Sequence, residues 1–97
     1  MTVLQSERPK LVFVYSGRQG RSRQVDGYVA QILQRRRNHD TFELVRIDVD
    51  ERPDVAERLH VTSVPTLLVI TGRRVHGRLA EPKGRAPIAE LLSPWLK

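Results

Sequence analysis

The chain contains no cysteine. That absence excludes disulfides, a thiolate nucleophile, iron–sulfur clusters and cysteine zinc sites together. Aromatic residues are scarce: two Phe, two Tyr and one Trp in 97 residues. Base-stacking platforms for single-stranded nucleic acid depend on such rings. The three histidines, His39, His60 and His76, share no ligand spacing, so no metal site is expected. No apolar run approaches the roughly 18 residues that a membrane span requires. The opening M-T-V-L-Q-S-E-R-P-K is too short and polar for a secretory leader, so a cytoplasmic location is expected.

Positive charge is abundant. Lys and Arg number 17 against 11 Asp and Glu, for a net +6; only Lys10, Lys83 and Lys97 among the cations are lysine. Residues 1–46 carry nine positive and four negative side chains, for +5. Residues 47–58 carry two and five, for −3, and the rest six and two, for +4. A basic–acidic–basic layout raises nucleic acid or another anion as a partner class. At this length the chain is expected to be one domain, 1–97, built on one sheet.

Residues 11–15, L-V-F-V-Y, form a continuous apolar run ending in Ser-Gly, which predicts a strand buried on both faces. Val25, Tyr28, Val29, Ile32 and Leu33 repeat at i, i+3, i+4, i+7 and i+8, predicting a helix over 22–37. Its start is expected to be capped by Ser22, and its end to place Arg35, Arg36 and Arg37 where cations favour the helix dipole. Asn38-His39-Asp40 is then read as a breaker.

A second strand is predicted over 42–49, and a short helix beginning at Pro53, a residue suited to the first helical position. A third strand is predicted over 64–70, with Pro65 placed near its start because proline cannot donate to a ladder. T-G-R-R connects it as a hairpin to a fourth strand over 75–79. Ile88, Leu91, Leu92, Trp95 and Leu96 predict a last helix with Pro87 near its start, which Pro94 ends after about Ser93. The order is β-α-β-α-β-β-α: an α/β sandwich on a mixed four-stranded sheet with helices on both faces.

That order, together with R-I-D-V-D-E-R-P-D-V-A-E-R-L-H-V-T-S-V-P-T-L-L-V-I at 46–70, resembles the thioredoxin family over nearly the whole chain. The resemblance implies a cis bond before Pro65, the proline of the V-P-T turn. It aligns Gln19-Gly20-Arg21-Ser22 with the family's C-G-P-C redox motif, so that Gln19 and Ser22 stand where both cysteines would be. Arg18 stands at the family's tryptophan, Phe13 at its buried aspartate, Gly27 at its helix-kinking proline, and Ala80 near its groove glycine. Only ten residues precede Leu11, which implies that the family's N-terminal strand and helix are missing or reduced. Dithiol–disulfide exchange needs an attacking thiolate and a second sulfur, so thioredoxin-type redox activity is not expected.

Other chemistry has little to stand on. G-R-Q-G-R-S at 17–22 lacks the Lys-Ser/Thr pair of a nucleotide-binding loop. Asp48, Asp50, Glu51 and Asp54 occupy a strand end and a helix start, ordinary places for acids, and no nucleophile is paired with a base. No enzyme activity and no cofactor are expected. The resemblance instead implies a binding or chaperone-like accessory module, whose groove comprises Arg18, Gln19, Gly20, Arg21, Ser22, Val64, Pro65 and Ala80. Arg21, Ser22 and Arg23 are candidate anion contacts. The expected partner is a protein or extended peptide, acidic by preference, bound by a monomer. The alternative is a small basic protein that binds nucleic acid or another anion.

Overall fold

The computed structural model describes residues 8–96. Four strands form one sheet in the order β2-β1-β3-β4. The central strand β1, Lys10–Tyr15, carries Leu11, Val12, Phe13 and Val14, all buried. It runs parallel to β2, Glu43–Asp48, and antiparallel to β3, Thr66–Thr71. The edge strand β4, Arg74–Ala80, closes a hairpin with β3. Gly72 begins its two-residue loop at φ 57, which favours glycine.

Because successive strand residues point to opposite faces, β1 serves two cores. Leu11 and Phe13 join Leu67 and Val69 beneath α1, Gly20–Gln34, and α3, Arg85–Leu92. Val12 and Val14 join Leu68 beneath α2, Pro53–Arg58, through Ala56. This is the mixed four-stranded α/β sandwich with helices on both faces that the element order predicts. Among the described residues, no helix is long and apolar enough to cross a membrane.

Several boundaries differ from the sequence reading, and α1 differs most. It starts two residues earlier than expected, at Gly20, and ends at Gln34 rather than Arg37. Arg35 leaves the helix in an extended conformation, and a 3₁₀ stretch, Arg35–Asp40, follows. The arginine run is therefore not the last turn of α1. Asn38, read as a breaker, is instead a buried structural residue at 2 % exposure. Its Nδ2 donates to the Arg35 carbonyl at 2.6 Å, and its Oδ1 accepts from Thr41 Oγ1 at 3.0 Å. Local side-chain bonds of this kind compete with helical ones and close a tight turn. Strand β3 begins at Thr66, leaving Val64 and Pro65 in the preceding loop.

Candidate functional site

The sheet register brings three loops to one end of the molecule. Val14 pairs with Thr66, and Thr66 pairs with Ala80, so the end of β1, the start of β3 and the end of β4 lie side by side. The turn 16–19 leads from β1 into α1 at this same end. The Val64–Pro65 peptide here is cis. The Pro65 carbonyl accepts from the Glu81 N–H at 2.7 Å, which extends the β3–β4 pairing by one step.

Val64 is half-buried and belongs to no strand. Among the described residues, no hydrogen bond reaches its backbone N–H or C=O. Backbone groups in folded proteins are nearly always paired, with protein or with water, so this pair is open to water or to an outside chain. Arg18, Gln19, Gly20 and Arg21 are all exposed, and so is Ala80. A Cβ built on Gly20 meets nothing within 4 Å, so the space above this residue is open to an approaching backbone.

Ser22 departs from expectation. The N-cap of α1 is Gln19, which makes no side-chain cap bond, and Ser22 sits inside the first turn at 4 % exposure. Its own N–H is already used by the Gln19 carbonyl at 3.2 Å, and its Oγ accepts from the Ser16 N–H at 3.3 Å. Ser22 therefore pins α1 to the end of β1 and neither caps the helix nor lines the outer groove. Its position in the first turn, beneath the exposed residues 18–21, buries it.

Ser16, which the sequence reading passed over, organises the turn. It is 6 % exposed; its Oγ donates to Asp50 Oδ2 at 2.7 Å and accepts from the Arg18 N–H at 3.3 Å. Asp48 pairs in register with Tyr15, so the acidic stretch after β2 folds against the basic turn. The site has an arginine side toward α1 and a carboxylate side toward β2. Farther along, the Arg52 guanidinium beside Asp54 holds that carboxyl below its ordinary value of 3.8, the hydrogen bond being the main cause.

Cavities among the described residues open at this end, and two of them border the turn and the Val64 loop. One of about 570 Å³ lies between α2 and the loop before Pro65, with Val49, Ala56, His60, Val61 and Val64 in its wall. His60 holds a left-handed φ of 59 there. Arg78 clamps this loop by donating to the Leu59 carbonyl at 2.8 Å and the His60 carbonyl at 3.1 Å. The second cavity, about 270 Å³, lies beneath the turn on the α1 side. Among the described residues no cluster of His, Asp or Glu could hold a metal ion.

A sheet of this order, with a cis-proline turn at the same end as the start of its longest helix, is a thioredoxin-like sandwich. The thioredoxin family model matches residues 1–93, and the chain belongs to that family. It is 34 % identical over 92 residues to a thioredoxin of Streptomyces clavuligerus, covering 95 % of this chain and 80 % of that one. It is 31 % identical over 91 residues to the bifunctional thioredoxin reductase/thioredoxin of Mycobacterium leprae (strain TN). That match covers 94 % of this chain but spans 19 % of the mycobacterial protein. Among solved structures, the germline-specific thioredoxin Deadhead of Drosophila melanogaster superposes with a TM-score of 0.81 at 16 % identity. The superposition covers 94 % of this chain and 84 % of Deadhead, and it speaks for the fold.

Proposed function

We propose that this is a redox-inactive member of the thioredoxin family that binds an extended, acidic segment of a partner protein as a chaperone-like accessory module. The observation that carries the reading is the backbone of Val64, unpartnered among the described residues, beside Pro65 and at the same end of the sheet as an exposed turn that has no cysteine. An extended segment would pair with the Val64 N–H and C=O, and Gly20 would let its backbone come close. Arg18 and Arg21 would meet its carboxylates. Each such exposed pair contributes only about 0–1 kcal/mol. Backbone pairing therefore supplies most of the affinity, and the arginines set preference and on-rate. In this reading Ser22 acts from beneath, by holding the turn that presents Gly20 and Arg21.

The test is fluorescence anisotropy with a labelled eight-residue peptide of alternating Glu and Val, against the same peptide with Gln for Glu. The acidic peptide should bind more tightly, and Arg21→Glu should weaken it by up to about fivefold. Equal binding of both peptides removes the acidic preference, and binding of neither removes the groove reading. In parallel, dithiothreitol-driven reduction of insulin should stay at its uncatalysed rate. Acceleration in proportion to protein concentration would contradict redox inactivity.

A further inference from the structure

The 270 Å³ cavity beneath the turn is separate from the groove: neither Val64, Pro65 nor Ala80 contributes to its wall. At roughly 30 Å³ per water it has room for about nine, less than a drug-sized ligand needs. Its apolar side is formed by Phe13 and Tyr15, whose rings stack at 5.2 Å. Phe13 is almost fully buried, so the half-buried Tyr15 ring is the surface a ligand would touch. Its polar side holds Ser22, Arg23, Asp26 and Arg46.

These four side chains are unequally satisfied. Arg46 Nη2 donates to Asp26 Oδ1 at 2.6 Å, which fixes the guanidinium against α1 and leaves its other donors free of any partner among the described residues. Arg23 has no hydrogen-bond or ionic partner among the described residues. Ser22, at 4 % exposure, accepts from the Ser16 N–H, but its own hydroxyl proton has no acceptor there. A buried donor without an acceptor is costly, and a ligand oxygen would satisfy it. Two guanidinium groups against one carboxylate leave the wall with a net charge of +1.

We propose that this cavity is a binding site for a small monocarboxylate. The carboxylate oxygens accept from Arg23, Arg46 and the Ser22 hydroxyl, and the apolar body lies along the Tyr15 ring. Arginine suits this task because its planar fork matches a carboxylate at two points. The acid could be a free small molecule or the C-terminal carboxylate of a peptide; the chemistry is the same. Asp26 opposes the ligand's charge and competes for Arg46, so the sign of its mutational effect is set in advance.

The test is a titration of the isotope-labelled protein with sodium benzoate, with benzamide as the neutral isostere, followed by amide shifts. Benzoate should shift Tyr15, Arg23, Asp26 and Arg46 in a saturable way, with benzamide about tenfold weaker. Arg23→Gln, at an exposed position that leaves the core intact, should weaken benzoate by about fivefold, and Asp26→Asn should tighten it severalfold. A peptide ending in a free phenylalanine, compared with its amidated form, separates the two sources. Loss of its shifts on amidation, with tighter binding than benzoate, assigns the site to chain termini. Binding of benzoate alone assigns it to free acids. Equal affinity for benzamide, weaker binding in Asp26→Asn, or no shifts through tens of millimolar benzoate would overturn the proposal. Because Val64 and Pro65 lie outside the cavity, failure here leaves the groove reading untouched.

Discussion

Among the described residues, eleven buried hydrophobic side chains close the core on the face covered by α1 and α3, and four, Val12, Val14, Ala56 and Leu68, close that on the face covered by α2. The difference follows from helix length. α1 has 15 residues and α3 has 8, enough for a full apolar stripe, whereas α2 has 6 and buries only Ala56. The loop that carries Val64 hangs from the thinner face, beside the larger cavity and the Arg78 clamp. Elements with few buried contacts open at lower free energy than those in a deep core. The molecule thus places its candidate docking backbone on its less heavily packed side, and Ser22, which pins the turn of residues 16–22, on α1 of the more heavily packed one.

Leu67 and Leu68 test this contrast directly. They are neighbours on β3, both at 0 % exposure, and they point to opposite cores. Leu67→Ala should cost about 4 kcal/mol and Leu68→Ala about 2–3 kcal/mol, because the thinner side collapses more easily around a void. Urea denaturation of both variants measures the difference, and equal losses would break the comparison. Ser22→Ala comes next. It leaves the buried Ser16 N–H without its acceptor and should cost about 1–2 kcal/mol, read by the same melts. Arg78→Met removes two exposed bonds to the end of α2 and should cost about 1 kcal/mol or less. Its signature should be faster hydrogen exchange at residues 59–64, with residues 22–33 unchanged.

The smallest effect concerns acid. The folded-state pKa of Asp54 is lowered, so its contribution is present above its unfolded value near 3.8 and is lost as pH falls below that. The carboxyl is exposed and screened by water, so Asp54→Asn should lower stability only marginally at neutral pH and slightly flatten its decline below about pH 4.

The strands and the apolar stripes of the long helices were legible because burial imposes a period on sequence, as at Leu11–Val14 in β1 and Val25–Leu33 in α1. Loop chemistry was less so. Ser22 could equally cap a helix or sit inside its first turn, and the choice between them rests on tertiary packing against Ser16, six residues back. The Arg35 run looked like a helix end because cations favour that position. The bonds of Asn38 to Arg35 and Thr41 close a 3₁₀ turn there instead. The facing of Asp50 to Ser16, and of Arg46 to Asp26, spans 34 and 20 residues, and no local pattern encodes such pairs.

An extended acidic chain is proposed to dock on the backbone of Val64, at the same end of the sheet as the exposed turn 18–21. Amide shift mapping with the Glu-Val peptide tests this docking most directly. The perturbed amides should cluster at 18–21 and 62–66, on both walls of the groove. Perturbations confined to 35–40 or to the outer face of α3 would contradict the account and make the groove a relic of family ancestry.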